Sequence, residues 1–162
     1  MVEREERPSG MGRNDSVLAA LEVVPDRWSF LVLREAFFGV RRFSDFRRSL
    51  GIARNTLTDR LSRLVEHGVL AKERIAESNE WEGYRLTEMG LDLYPVTVAL
   101  MRWGDRWLAP KGAPLVLTHK ECGGEVALEL TCATCGAQVD ARSADYEPGP
   151  GVVVDSARRL SR

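Results

Sequence analysis

The sequence predicts an α+β fold that is mostly α, with a small β module near its C-terminal end. Residues 41–68 contain two stretches with helical apolar spacing, separated by a short glycine turn. A hairpin pattern and a long helical pattern follow in residues 69–108. Two helices joined by so short a turn pack at a steep angle, which predicts a winged helix-turn-helix domain over residues 15–110. All three cysteines of the 162-residue chain lie further on, between positions 122 and 135.

The first two helices are predicted from capping residues and apolar content. Asp15 or Ser16 can cap a first helix that runs through Val24. A second helix, at about residues 26–38, is apolar on nearly all sides, so it must be covered on more than one side and forms the core. Residues 1–14 are charged and have little to bury, which predicts a disordered N-terminal tail.

The helix-turn-helix follows directly. Leu57, Leu61 and Leu64 fall at i, i+4 and i+7, which places them on one helical face and turns a polar face outward. Gly51 ends the helix before them, because glycine adopts a left-handed C′ conformation at little cost. We expect Asn55 to cap the second helix. In this geometry the first helix crosses the phosphate backbone and the second enters the major groove of double-stranded DNA.

The charge distribution supports a nucleic-acid-binding role. Residues 41–63 contain seven arginines against two aspartates, a net charge of +5 in a chain whose total is -1, so the rest of the chain sums to -6. A basic element in an acidic chain indicates a phosphate-binding surface, because each arginine releases condensed counterions on binding. The alternative is an arginine-rich helix surface that is only solvated.

The candidate DNA contacts form two groups. On the second helix, arginine can hold a guanine edge, asparagine an adenine edge, and aspartate can accept from cytosine. Arg60 in particular is expected to contact DNA and to be dispensable for the fold. The candidates on this helix are Arg54, Asn55, Thr56, Thr58, Asp59, Arg60 and Arg63. The candidates for holding the phosphate backbone are Arg41, Arg42, Ser44, Arg47 and Arg48, with Arg74 or Arg85 from the hairpin.

A hairpin, the predicted wing, follows this helix. Gly68 ends the helix, residues 69–75 are predicted as one strand, and Tyr84–Leu86 as the second. The tip between them, residues 76–82, carries three glutamates. We therefore expect the tip to stay off the phosphates and the flanks to contribute the arginine contact.

A long helix is predicted from Thr87, with a kink or a restart at Pro95. Its apolar surface is wider than one small domain needs. We expect this surface and the first helix to form a two-fold homodimer interface, so that operator symmetry mirrors protein symmetry. The alternative is that one chain covers its own apolar stripes. The stripes are Leu93, Val96, Leu100, Trp103 and Trp107, and Tyr94, Val98, Met101 and Leu108.

A set of short motifs spans about residues 16–108. The motifs are Asp26-Arg27-Trp28, Arg34-Glu35, Gly39, Arg42-Phe43-Ser44, Thr56-Leu57, Arg60-Leu61 and Tyr84-Arg85-Leu86-Thr87 with Gly90. Together they resemble the HxlR family of bacterial winged-helix transcription regulators, which are MarR-like. The resemblance implies a homodimer that binds an inverted repeat near a promoter, with the two recognition helices in successive major grooves. We expect a sequence-specific regulator of this kind, most simply a repressor.

Other function classes have less support in the residues. The chain has no phosphate-binding glycine loop or dinucleotide fingerprint, so catalysis is not expected. The alternative function is a protein-interaction adaptor that uses the winged-helix fold without reading DNA. Trp28, Trp103 and Trp107 either pack as plain core or line a pocket for a small-molecule effector. Without a membrane-length apolar run or a signal peptide, we expect a soluble, cytoplasmic, nucleoid-associated protein.

The cysteine cluster predicts a metal site. His119 and Cys122 are separated by two residues, as are Cys132 and Cys135, and a glycine follows each pair. Such turns wrap a tetrahedral metal, because the glycine lets backbone amides point back at the thiolate. We expect these four residues to bind a structural Zn²⁺. A metal-free module and a Cys132–Cys135 redox pair are the alternatives.

The segment around these ligands, residues 111–140, is predicted to be a zinc-ribbon-like module. Residues 126–131 alternate apolar and polar side chains, which predicts one strand of a hairpin. So small a module has too little core to fold alone, so a metal would supply its stability. Residues 141–162 are predicted to be a flexible tail.

Overall fold

The computed structural model describes residues 15–74, 83–145, 147 and 149–151. The described part of the chain is mostly helical and contains one two-stranded antiparallel sheet. No helix within these residues is both long and apolar enough to span a bilayer. The elements in chain order are α1 Ser16–Val23, α2 Arg27–Phe37, α3 Phe43–Leu50, α4 Arg54–Glu66, β1 Leu70–Glu73, β2 Gly83–Leu86, α5 Glu88–Leu91 and α6 Tyr94–Leu108.

Aspartates begin the first two helices. The carboxylate of Asp15 accepts hydrogen bonds from the amides of Val17 and Leu18 at the start of α1. Asp26 caps α2 in the same way, through the amides two and three residues further on. These side chains satisfy amides that have no partner inside the helix, which is why both helices begin where the sequence predicted.

The core lies around α2, which contacts α3, α4, α6 and β2. The prediction that this helix is covered on more than one side is confirmed. The leucine face of α4 is buried against α2. No residue of α1 is buried, and in α6 only Thr97 and Val98 are buried. The fully buried apolar side chains are Val32, Leu33, Phe46, Leu57, Leu61, Leu64, Val69 and Leu70.

The turn of the helix-turn-helix contains the predicted glycine. Gly51 ends α3 with a φ of 60°, in the left-handed region that favours glycine. The next helix begins after Ala53, and no side chain caps it. The prediction that Asn55 is the cap is wrong, because the backbone is already helical from Arg54 onward.

The wing is an antiparallel pair in which Leu70 faces Leu86 and Glu73 faces Gly83. Arg42, just before α3, forms a further antiparallel bridge with Gly83, so the wing is joined to the start of the helix-turn-helix. The described strand β1 is shorter than the predicted strand. The predicted acidic tip, residues 76–82, lies outside the described residues.

The long helix predicted after the wing is two helices. α5 ends at Leu91, and α6 begins at Tyr94 with Pro95 in its first turn, so the predicted restart is confirmed. Proline is tolerated at that position because it lacks an N–H that would be unpaired there in any case. Thr87 caps α5 by accepting from the amide of Gly90, and its hydroxyl lies 2.6 Å from the carbonyl oxygen of Gly68.

The C-terminal module consists of turns. Residues 111–145 form isolated bridges, Thr118 with Glu125 and Thr131 with Gln138, but no regular β-strand. The prediction of a strand over residues 126–131 is wrong. At one end of that run the Val126 amide donates to the Leu117 carbonyl, and at the other end the Leu130 carbonyl accepts from the Val139 amide. Each end therefore closes a separate tight turn.

Gly90 tests the packing of α5 on the wing. A Cβ at this buried glycine would lie 2.2 Å from the carbonyl oxygen of Val69. Because that carbonyl is backbone and also accepts from the Thr87 amide, it cannot move easily. We expect Gly90→Ala to lower the free energy of unfolding by about 1–3 kcal/mol, measured by urea denaturation.

The matched control is Gly104→Ala in α6, where an added Cβ meets nothing within 4 Å. Alanine is the better helix former, so this variant should gain about 0.5–1 kcal/mol of stability. Equal unfolding midpoints for the two variants would contradict the close approach at Gly90.

Candidate nucleic-acid interface

The recognition-helix candidate, α4, has one buried face and one exposed polar face. Its leucines at 57, 61 and 64 are fully buried, and the helix contacts α2, α3 and β1. The side chains on the opposite face are solvent-exposed because the buried leucines fix the rotation of the helix about its axis. The exposed face consists of Asn55, Thr58, Asp59 and Ser62. Thr56 lies beside it and is half-buried.

Arg54 stands at the junction of α3 and α4. Its side chain is exposed, and its guanidinium lies over the ring of Phe43 with 5.6 Å from Cζ to the ring centroid. Stacking on an aromatic face orients a guanidinium without using its N–H donors. Arg54 therefore presents a positioned cation at the start of the recognition-helix candidate.

Exposed arginines continue this surface along α3. Arg47 and Arg48 lie on its last turn, and Arg48 pairs with Asp45 at 2.6 Å. Arg41, just before the helix, pairs with Glu73 of the wing at 3.1 Å. Both paired guanidiniums remain mostly exposed, so these ion pairs hold them loosely and leave donors available to phosphate.

The remaining candidates for contact with the DNA phosphates lie where the wing meets α3. Arg42 precedes α3 with extended backbone and is half-buried, and Ser44 in the first turn is also half-buried. Arg85 is exposed on β2, and Arg74 is exposed directly after β1. The structure thus brings the predicted wing-flank residues to the same sheet.

Arg60 points into the protein. Its Nε is buried and lies 2.7 Å from Oδ2 of Asp26, an ion pair without the alignment of a hydrogen bond. Its guanidinium also contacts the carboxylate of Asp59, and its side chain is 25% exposed. The side chain of Arg60 therefore links α4 to the N-cap of α2 and turns away from the exposed face of the helix. The predicted DNA contact of Arg60 and its predicted dispensability for the fold stay predictions.

Arg63 is likewise turned toward the protein. Its guanidinium donates to the backbone carbonyl of Glu22, with the Nε 3.1 Å from that oxygen. This carbonyl belongs to the last turn of α1, where carbonyls have no partner within the helix. Arg63 therefore caps α1 from α4, and its predicted DNA contact stays a prediction.

The predicted metal ligands lie in two pairs. The Nδ1 of His119 is 3.4 Å from the Sγ of Cys122 in the first turn of the C-terminal module. Cys132 and Cys135 lie in the second turn, and all three cysteines are free thiols. Within the described residues no group of three or more possible ligands lies close enough to hold a metal ion. The structure forms the pairs and does not bring them into one cluster.

The second pair has an activated thiol. Hydrogen bonds from the backbone amide of Cys135, then from that of Thr134, hold the pKa of the Cys132 thiol below its usual value. The thiolate is the form that binds metal and the form that reacts with oxidants. A lowered pKa therefore agrees with either of the two uses that the sequence left open for this pair.

The tryptophans do not share one enclosed site. Trp28 is half-buried against the core, whereas Trp103 and Trp107 are 56% and 63% exposed on α6. A cavity of about 280 Å³ lies between α6 and residues of the C-terminal module. It is lined by Met101, Arg102, Asp105, Arg106, Ala113, Leu115, Val116, Leu117 and Glu125.

The chain matches known proteins in sequence. Residues 23–112 match the family of HxlR-like helix-turn-helix proteins. The HTH-type transcriptional regulator Rv3095 of Mycobacterium tuberculosis is 49% identical over 138 residues, 85% of this chain and 87% of the relative. A match of 138 residues cannot be contained in residues 1–110, so it extends into the C-terminal module. The regulator sll1512 of Synechocystis is 36% identical over 89 residues, 54% of this chain and 66% of the relative.

The chain also matches solved structures. The crystal structure of PA1607, described as a candidate transcription factor, superposes with a TM-score of 0.77 at 36% identity and covers 88% of this chain and 100% of that one. PA1374 of Pseudomonas aeruginosa, described in the same way, has a TM-score of 0.59 at 34% identity and covers 85% of this chain and 94% of its own. The overlap with both includes the winged helix-turn-helix domain.

The link between α4 and α2 has a measurable consequence. Arg60→Ala removes the cation beside Asp26, and both side chains are less than one-third exposed. We expect the free energy of unfolding, measured by urea denaturation without DNA, to fall by about 1–2 kcal/mol, between the values for exposed and buried ion pairs.

Arg48→Ala is the matched control, because it removes an arginine whose side chain is 77% exposed beside its aspartate. Its free energy of unfolding should stay within about 0.5 kcal/mol of the wild-type value. If the two variants unfold at the same urea concentration, Arg60 has no structural role.

Proposed function

Because the chain belongs to the HxlR-like helix-turn-helix family and is a DNA-binding transcription regulator, we propose that it is a homodimeric repressor of an inverted-repeat operator. The observation that carries this proposal is the exposed polar face of α4, with arginines of α3 beside it. A helix with this exposure can enter a major groove while the neighbouring helix lies across the phosphates.

In this proposal the base edges are read by Asn55, Thr58, Asp59 and Ser62. Asparagine can bond an adenine edge in two places, and aspartate can accept from the amino group of cytosine. Thr58 and Ser62 have short side chains, which let the helix approach the groove floor closely. Sequence selectivity then depends mainly on Asn55 and Asp59, with Arg54 at the helix start reaching a guanine or a phosphate.

The phosphate contacts in this proposal come from arginines around α3. Arg47 and Arg48 lie on its exposed last turn, and Arg41 lies between α3 and the wing. Arg85 extends the surface along β2. These residues supply affinity that is independent of sequence and falls with rising salt, which distinguishes DNA binding from an apolar protein-docking role.

The apolar surface of α1 and α6 supports a dimer. None of the eight residues of α1 is buried, although Val17, Leu18 and Leu21 are apolar. On α6, Leu100 and Trp103 are 53% and 56% exposed. So much apolar surface favours a partner, and a second copy of the chain offers a matching surface by two-fold symmetry.

A symmetric dimer has a direct way to repress transcription. Its two recognition helices would stand about 34–36 Å apart, one turn of DNA, and would read the two halves of the repeat. A dimer seated on a promoter in this way excludes polymerase from the same DNA. Neither step needs bond-making chemistry, so the proposal assigns the chain no enzymatic activity.

Two substitutions separate base reading from phosphate binding. With a duplex selected from a random library, we expect Asn55→Ala to weaken binding by about 1–3 kcal/mol and to lose preference over a scrambled duplex. Arg47→Ala should weaken binding to both duplexes equally and reduce the log-log salt slope by about one. Fluorescence anisotropy over a salt series measures both effects.

The two variants control for each other, since both side chains are exposed and neither should alter stability. Unchanged operator affinity in a folded Asn55→Ala protein would count against α4 as the reading helix. Equal losses of preference in both variants would count against the division of roles.

The dimer interface is tested by placing charge in the apolar surface. We expect Leu100→Asp to be a monomer by analytical ultracentrifugation and to bind the operator at least tenfold more weakly. In run-off transcription from a promoter that contains the operator, this variant should no longer repress. Leu130→Asp, at a leucine that is 72% exposed on the C-terminal module, is the control and should remain dimeric. A Leu100→Asp dimer with normal repression would exclude this surface.

A further inference from the structure

The C-terminal module contains the same turn twice. We name residues 117–126 the first knuckle and residues 130–139 the second knuckle; their sequences are LTHKECGGEV and LTCATCGAQV. Each is closed by one isolated bridge between its second and second-last residues, Thr118 with Glu125 and Thr131 with Gln138. Leu, Thr, Cys, Gly and Val recur at matching places, so the module is an internal repeat.

The backbone hydrogen bonds repeat as well. In the first knuckle the His119 amide donates to the Gly124 carbonyl at 2.8 Å, and in the second the Cys132 amide donates to the Ala137 carbonyl at 2.8 Å. A glycine with φ near 70° sits at the same place in both. The same backbone path therefore presents His119 and Cys122 in one knuckle and the second cysteine pair in the other. The glycines are Gly123 at 70° and Gly136 at 71°.

The distances in the first knuckle fit two ligands of one metal ion. The Nδ1 of His119 and the Sγ of Cys122 are 3.4 Å apart. In a tetrahedral zinc site with Zn–N of about 2.1 Å and Zn–S of about 2.3 Å, neighbouring nitrogen and sulfur ligands are about 3.6 Å apart. The amide of Gly124 also donates to this sulfur at 3.4 Å, the kind of contact that orients a ligating thiolate.

The module lacks another source of stability. In residues 111–145 no side chain is buried, and Leu128 and Leu130 are 43% and 72% exposed. Arg102 of the helical domain pairs with Glu125 at 2.9 Å and donates to the carbonyl of Val126. A repeat of tight turns without a core needs a cross-link to hold one conformation.

We propose that one Zn²⁺ joins the two knuckles of a single chain through His119, Cys122, Cys132 and Cys135. Both pairs are already formed, and the short linker of residues 127–129 must bend to bring them onto one ion. Four protein ligands fill the tetrahedral shell, so the ion is structural and has no open position for a reaction. This site is independent of DNA binding, since none of its residues belongs to the proposed DNA-binding surface.

Metal content of the full-length protein tests the proposal. Protein purified under reducing conditions with Zn²⁺ and then desalted should hold one zinc per chain by mass spectrometry. Replacement by Co²⁺ should give the intense visible bands and thiolate charge-transfer bands of a tetrahedral Cys3His site. This spectrum needs no variant, so it stays informative even where a substitution unfolds the module.

Ligand variants identify the residues involved. Cys122→Ser and Cys132→Ser, one from each knuckle, should each bind Co²⁺ about a hundredfold more weakly and change the charge-transfer band. His67→Asn is the control, because His67 is the other histidine of the chain and lies at the end of α4. Its spectrum should match that of the wild type.

Two outcomes would overturn the proposed zinc site. Half a zinc per chain, with dimers that dissociate on chelation, would assign the ion to knuckles of two copies. No bound metal together with a disulfide between Cys132 and Cys135 would assign the second knuckle to redox chemistry. If the full-length protein holds one zinc per chain but binds no operator, the proposed function is refuted and the zinc site is not.

Discussion

The structure depends on the burial of one leucine face. Leu57, Leu61 and Leu64 of α4 are fully buried against a core centred on α2. Burying three leucines contributes several kcal/mol, roughly 1.5–3 kcal/mol for each side chain. Rotation of α4 about its axis would expose them, so the direction of its polar face is fixed by packing on the opposite side. The direction of the surface proposed to face DNA is therefore a consequence of how the core packs.

Two arginines connect α4 to the first two helices. Arg60 binds the N-cap of α2 and Arg63 binds the last turn of α1, so α4 is tied to the connection between these helices. The exposed apolar residues of α1 lie within two helical turns of the Arg63 contact. The helix proposed to read DNA and a helix proposed to contact the second subunit are thus joined by side-chain contacts. In the proposed dimer, the distance between the two reading helices would depend on these side chains, which are not among the proposed DNA contacts.

Much of the fold follows from local sequence. Asp15, Asp26, Gly51 and Pro95 set helix ends through interactions within one or two turns, so the sequence predicts them correctly. Arg60 was predicted to contact DNA because it belongs to a segment that is rich in arginine. Its position three residues after Leu57 places it beside the buried face, and only the location of Asp26 in space decides its partner. Helical spacing alone can therefore place Arg60 at the edge of the buried face, but it cannot identify Asp26 as its partner.

The C-terminal module shows the other limit of sequence. Alternating apolar residues at 126–131 predict a strand, but the repeated turns on both sides take the hydrogen bonds of its two ends. The internal repeat was visible in the sequence, and its spacing was the better guide to structure there. The pairs of possible metal ligands follow from local turns, whereas their convergence depends on a linker whose conformation local patterns do not determine.

Arg102 gives the module a mechanical connection to the rest of the molecule. It lies on α6, the helix with the exposed tryptophans, and contacts the end of the first knuckle through the Glu125 carboxylate and the Val126 carbonyl. These two contacts couple the first knuckle to α6, so a variant that removes Arg102 would separate the C-terminal module from the helix proposed to meet the second subunit.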